Sequence, residues 1–218
     1  MREISQPPIL IADHPALDLL NSVAAPRDEE IEWIGTGNDL LTWIGASGLL
    51  EPDQAEGCRR KFEQEDLDDV ARRVIALREW FRRLLKEQSD PEGWRISGED
   101  LQYLNAILAA GTYLFQLNAS HGEKPGLVSG ISLQGTIDVR SPDDLLFPIA
   151  LQIADFLAAV SPHDTRRCAN EACTLWFVDV TKNKRRRWCD MSVCGNRAKA
   201  AGFRARKAET GKSGTGKV

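Results

Sequence analysis

The residues best suited to chemistry in this 218-residue chain are four cysteines near its end. Cys168-Ala-Asn-Glu-Ala-Cys173 is followed, fifteen residues on, by Cys189-Asp-Met-Ser-Val-Cys194 and then Gly195-Asn196-Arg197. Two pairs of equal spacing supply two turns, and the segment between them must fold back to bring the turns together. Four thiolates complete a tetrahedral shell around Zn²⁺, and a shell with no open position is structural rather than catalytic. Iron is the main competitor, although a lone iron held by four cysteines is a rarer use of that metal. The fifth cysteine, Cys58, lies far away in a different composition.

The surrounding sequence favours metal over disulfides. No run of about 18 apolar residues is present, and the N-terminus lacks the basic-then-apolar profile of a signal peptide. A cytoplasmic chain with no membrane segment is therefore expected, in a compartment where paired cysteines serve metals more often than disulfides. With 42% hydrophobic residues the chain can bury a conventional core.

Charge divides the chain. Residues 1–160 carry 14 Lys/Arg against 27 Asp/Glu, a net of −13, whereas residues 161–218 carry 14 against 5, a net of +9. Four thiolates and one Zn²⁺ would bring the second figure to about +7. The whole-chain net of −4 conceals this contrast, which matters because a basic segment is the electrostatic footprint of phosphate binding.

The elements that must position these groups can be read in order. Residues 8–12 suit a short strand. His14-Pro15 opens a helix, apolar nearly all round through Ala24, with His14, Asp18 and Asn21 sharing one face at i, i+4 and i+7. That polar stripe either lines a small ligand pocket or bonds to nearby backbone. Residues 27–37 read as a loop, Asn38 as the cap of the next helix, and Pro52 as the start of another through Phe62. A longer helix from Asp66 to Gln88 places Leu67, Val70, Val74, Leu77, Phe81 and Leu84 on a core-facing stripe. Its arginines interleave with acids, as on a solvated face. Ser97-Gly-Glu-Asp100 resembles a capping box. Period-two segments at 113–117, 127–133 and 136–140, with turns at Gly126, Gly130 and Gly135, predict a small antiparallel sheet packed by the helices. Ser141-Pro142 starts the last large helix, in which Pro148 implies a later start or a kink.

Beyond Ser161 the pattern predicts a knuckle, a hairpin and a helix. Leu175–Val180 reads as a strand, Arg186–Trp188 as its returning partner and 181–185 as the tip, followed by a helix from Asn196 to about Ala208. The fold expected is α+β: a mainly helical N-terminal domain with a small antiparallel sheet over residues 1–160, a treble-clef-like zinc finger over 165–209, and a disordered tail over 210–218. Lys182, Lys184, Arg185, Arg186 and Arg187 crowd the hairpin, and Arg197, Lys199, Arg204, Arg206 and Lys207 lie on the helix, so these ten are the candidate nucleic-acid contacts. The alternative is a solvated basic surface, or one paired with the acidic domain. Gly195 would let the backbone approach a thiolate, Asn196 would cap the helix, and Arg197 would reach a phosphate or brace the finger. Gly211-Lys-Ser213 in the tail is no phosphate loop, because the first glycine and the strand–helix context are missing.

The quoted finger residues, with Leu-Trp-Phe-Val-Asp, Arg-Arg-Trp-Cys and Cys-Gly-Asn-Arg-Ala-Lys, resemble the CGNR zinc finger. His14-Pro-Ala-Leu-Asp-Leu-Leu-Asn21 is similar to the opening motif of the ABATE domain, which accompanies that finger in bacterial proteins described as stress-responsive transcription regulators. The resemblance implies zinc on Cys168, Cys173, Cys189 and Cys194, DNA binding by the finger, and a regulatory or effector-sensing first domain. A dimer is expected if operators are recognised, since one finger reads little sequence. An RNA-binding or protein-interaction adaptor scaffolded by zinc is the alternative function. Three histidines without a nucleophile–base arrangement argue against an enzyme.

Overall fold

A computed structural model describes residues 6–25, 30–88, 90, 92–121, 128–196 and 199–200 of the chain. Helix α1 (Pro15–Leu20) starts as the sequence requires. His14 is extended, its Nδ1 accepts from the Ala16 amide, and Pro15 takes the first helical position. The helix stops at Leu20, earlier than the apolar run to Ala24 predicts, because side chains take its final carbonyls. Arg82 donates to the Leu20 carbonyl at 2.7 Å, and the Ser22 hydroxyl donates to that of Leu19 at 2.7 Å. The chain then forms a two-residue strand β1 (Val23–Ala24), antiparallel to β2 (Ile31–Glu32), inside the segment read as a loop. Residues 8–11 form no strand.

Helix α2 (Gly37–Ala46) is capped by Thr36 rather than Asn38: the Thr36 hydroxyl accepts from the Asp39 amide at 3.2 Å. Position 37 must be glycine. A Cβ there would fall 2.3 Å from Cβ of Leu67, so α2 crosses the long helix at this point without clearance for a side chain. Helix α3 (Pro52–Lys61) begins with a reciprocal Glu51–Gln54 capping box. Helix α4 (Gln64–Glu87) buries the predicted stripe of Leu67, Val70, Val74, Leu77, Phe81 and Leu84. Helix α5 (Gly98–Ala110) is capped by the Ser97 hydroxyl, which accepts from the Asp100 amide at 3.0 Å.

Before the last helix, Ser141 and Asp144 form a capping box on a 3₁₀ turn, Pro142–Leu145, which leads into α6 (Leu146–Ala159). Pro148 is thus third in α6, where its missing amide costs no intrahelical bond, so the later start is realised. Helices α1, α4 and α6 converge on Phe156. Its ring packs edge-on against His14 at 5.1 Å and Phe81 at 5.5 Å.

The sheet differs from expectation. Strands β3 (Tyr113–His121) and β4 (Val128–Ile137) make one long antiparallel hairpin, with Gly130 and Gly135 inside β4 rather than at turns. Gly126 lies outside the described residues. Gly135 is covered by the Tyr113 ring, whose Cε1 would stand 2.2 Å from an added Cβ. Helices hold only the hairpin's base: Ile137 is buried, and Gln54 donates to the Thr136 hydroxyl at 2.9 Å and the Ile137 carbonyl at 3.1 Å. The rest projects from the helical body.

Arg78 departs from the solvated mixed-charge face expected of α4. It is 3% exposed and donates to both carboxylate oxygens of Glu32, to Glu79 and to the Ser22 hydroxyl. A buried guanidinium needs such a full set of acceptors, and its chief partner lies 46 residues away on β2. Arg78→Ala is expected to lower unfolding free energy by about 2–4 kcal/mol, somewhat below the range for fully buried pairs because Glu32 keeps partial solvent access. Urea denaturation of wild type and variant checks this.

Candidate metal centre

A 3₁₀ turn (Pro162–Asp164) leads from α6 into β5 (Thr165–Arg167), which pairs antiparallel with β6 (Trp176–Val178). The partner of β6 therefore precedes the first knuckle. Residues 186–188, read as the returning strand, are instead held singly: the Arg186 amide donates to Asp179 Oδ2 at 2.8 Å, and the Arg187 carbonyl accepts from the Ala169 amide at 2.8 Å. Asp179, fully buried, organises this loop by also accepting from the amide and hydroxyl of Thr181. Burial alone would raise its carboxyl pKa, but the bonds from Thr181 and the Arg186 amide hold it below the ordinary value.

The second knuckle runs into a π-helical turn, Met191–Gly195, whose cap is Asp190. Asp190 Oδ1 accepts from the amides of Ser192 at 2.7 Å and Val193 at 3.0 Å. Asn196, the expected cap, sits at the far end and donates to the Ser192 carbonyl at 3.4 Å. An acidic residue just before the turn was a legible capping signal. At Gly195 a Cβ would lie 2.7 Å from the Met191 sulfur and 3.4 Å from Trp188. The glycine admits these two side chains.

Cys168, Cys173, Cys189 and Cys194 are all buried, and their Sγ atoms lie within 4.8 Å of one another, with Cys173 and Cys189 at 3.8 Å. A tetrahedral ion with Zn–S bonds of about 2.3 Å separates its sulfurs by about 3.8 Å, so this set fits zinc. The crowding couples the thiols: the hydrogen bond between Cys173 and Cys189 holds Cys173 below the usual thiol range and Cys189 above it. Crowded sulfurs can share one negative charge, and a dication allows all four to ionise. The Asn170 amide adds a donor 3.6 Å from the Cys194 sulfur. Cys58 is buried in α3, apart from this cluster.

The stripe on α1 and the loop before it turn out to be the seat of this finger. Asn21, 1% exposed, exchanges two hydrogen bonds with the backbone of Trp176: Nδ2 donates to its carbonyl at 2.9 Å, and its amide donates to Oδ1 at 2.8 Å. Asp18 Oδ1 accepts from the Ala12 amide at 3.0 Å, and the Ala12 carbonyl accepts from Val178 at 2.8 Å. Burial raises the Asp18 carboxyl to about 6. His14 caps α1 and reaches Asp155 at 3.3 Å through Nε2, and burial lowers its pKa despite that carboxylate. All three side chains are engaged within the chain. The expectation that His14, Asp18 and Asn21 line a ligand pocket gives way to a structural role.

The ten basic candidates divide. Arg186 is a brace: it pairs with Asp13, donates to the Ile11 and Trp188 carbonyls, and lies 4.2 Å above the Phe177 ring. Lys184 is likewise taken, donating to Asp164 and to the Asp179 carbonyl, each at 2.8 Å. Lys182, Arg185, Arg187 and Lys199 are exposed. Arg167, overlooked in the sequence, is exposed as well. The Arg197 side chain and Arg204, Arg206 and Lys207 lie outside the described residues, as does the tail over 210–218. Among the described residues Arg186–Asp13 is the one ion pair joining the finger to residues 1–160. Among the described residues the acidic domain contributes no second ion pair to the finger's basic loop.

Fold and site together define a zinc-finger protein. Residues 13–160 match the ABATE family, described as "Putative stress-induced transcription regulator", and residues 165–207 match the CGNR zinc finger. The chain belongs to the ABATE family. No curated protein matches it. No helix among the described residues is long and apolar enough to cross a membrane.

Two expectations follow from this geometry. Asn21→Ala strands a buried amide and carbonyl of Trp176, and should cost about 2–4 kcal/mol of stability. Native-state hydrogen exchange would locate the loss at β6 and the cysteine knuckles. Zinc removal by chelation, or Cys173→Ser, should abolish the bound equivalent of zinc measured by metal analysis. It should also lower the melting temperature of the whole chain, since β6 packs into the helical core.

Proposed function

We propose that the protein is a non-catalytic, zinc-finger DNA-binding transcriptional regulator whose N-terminal domain carries the regulatory input. The observation that supports this most directly is the loop between the cysteine pairs. Lys182, Arg185 and Arg187 are exposed there, while Arg186 and Lys184 between them are pinned inward. Alternate residues thus anchor the loop and present its free charges, which limits the ordering entropy that phosphate binding would cost. A shallow cleft of about 560 Å³ beside them is lined by Arg185, Arg187, Asn183 and Trp188 among others. The cations would position the protein on the backbone, and the amide and indole offer groups for base edges. The net of +9 over residues 161–218, about +7 once zinc is bound by four thiolates, provides the attraction.

Duplex-DNA binding by the zinc-loaded full chain, followed by fluorescence anisotropy across a salt series, tests the reading. Affinity should fall steeply with salt, and Arg185→Ala with Arg187→Ala should reduce the slope of log affinity against log salt by about 2. A preference for single-stranded RNA at equal salt would move the protein to the adaptor class. Absence of nucleic-acid binding would leave the finger as a protein-interaction scaffold.

A further inference from the structure

The β3–β4 hairpin carries more apolar surface than a two-stranded ribbon in water should. Its register places Leu117 opposite Leu133 and Ala119 opposite Ile131, with Phe115 two residues before Leu117, so these side chains share one face. The other face presents Gln116, Asn118, Ser132 and Gln134. Apart from Leu114 at the base of the polar face, this alternation is the pattern of a sheet that is buried on one side. Yet Phe115 is 68% exposed, Leu117 69%, Ile131 71% and Leu133 64%.

With Tyr113 they offer roughly 600 Å² of contiguous apolar surface, at the upper end for the largest patch on a monomer. The two strands contain no Asp, Glu, Lys or Arg, the residues that commonly guard exposed edges against pairing. Isolated two-stranded hairpins are marginal in water, so a covering layer would supply what this one lacks.

We infer that this face is covered by the same face of a second copy of the chain, making a two-fold symmetric dimer by stacking of the two hairpins. The chain itself has little to put there. Outside the described residues its large apolar side chains are Met1, Ile4, Phe203 and Val218, each beside polar or basic residues, and Leu127, which adjoins Val128 of the hairpin itself. A charged partner finds no complement on a strand pair without Asp, Glu, Lys or Arg. An identical face is a complement by construction, since an isologous contact sets each patch against itself. Two sheets stacked about 10 Å apart would interdigitate Phe115, Leu117, Ile131 and Leu133 from each side. The area each copy brings is most of the ~800 Å² per partner of a standard stable interface. The neutrality of the hairpin also lets two chains meet there without setting like charges face to face.

Sedimentation equilibrium of the zinc-loaded full chain over micromolar concentrations tests the inference. The expected mass is twice 24.2 kDa. Leu117→Thr with Leu133→Thr keeps strand propensity while removing apolar area, and should weaken the dimer at least tenfold. Ile131→Lys should do the same. All three positions are exposed in one chain, so zinc content and circular dichroism should match wild type. A wild-type monomer throughout the range would overturn the inference, as would variants that dimerise as tightly as wild type. So would recovery of the wild-type chain on lipid vesicles, blocked by Ile131→Lys, with no dimer in solution.

Discussion

Four sulfurs buried within 4.8 Å of one another are a standing electrostatic problem. Left as thiols they crowd weak dipoles into a closed space, and left as thiolates they repel. A dication at their centre turns the same geometry from repulsion into attraction. Much of the finger depends on that one resolution. The ion fixes two knuckles, the knuckles fix β6 between them, and β6 is the strand that enters the helical core. Phe177 at its centre is fully buried. A small module with one three-residue strand pair has too little apolar area to hold itself together, so metal binding supplies folding energy of about 10 kcal/mol or more.

The second constraint is the use of polar groups that have no water to turn to. Trp176 would bring a bare amide and carbonyl into the interface, and Asn21 answers both with one side-chain amide. Ala12 lies between Asp18 and Val178, linking the α1 stripe to β6 through successive bonds. Arg186 extends the seat to Asp13, a residue held at a positive φ of 60°. Asparagine and aspartate tolerate that region better than most residues. Read together, the opening motif of the first domain is a fitting for the second.

Much of this was legible in the sequence, and the gaps have a common cause. Cysteine spacing identified the ligand set because a metal shell is a local rule with few solutions. Helix α4 was legible because its stripe repeats at the helical period, and Ser97 and Ser141 announced their caps. What failed were assignments that hang on distant partners. Arg78 looked solvated because its acceptor, Glu32, is remote in sequence. Strand β6 was matched to 186–188 because those residues follow it, while β5, its true partner, lay before the first cysteine. The stripe of His14, Asp18 and Asn21 was visible, but nothing local says whether a buried amide faces a ligand or a neighbouring backbone. Likewise, a row of five basic residues reads as one patch, although alternate members point inward to pair with Asp164 and Asp13.

The family boundary between residues 160 and 165 is thus a boundary of sequence and not of mechanics. Apolar residues of α1, α4 and α6 and those of the finger belong to one contiguous core. His14 stands against Phe156 of α6 at one end of α1, and Asn21 grips β6 at the other, so a six-residue helix spans the junction. In two modules on a flexible linker, a signal in the first reaches the second only by changing local concentration or masking a surface. Here a shift in the packing of α1 would displace Asn21 relative to the strand it holds. How firmly the finger is seated depends on both zinc and the opening motif, since Asn21 holds Trp176 of the strand that lies between the two cysteine pairs.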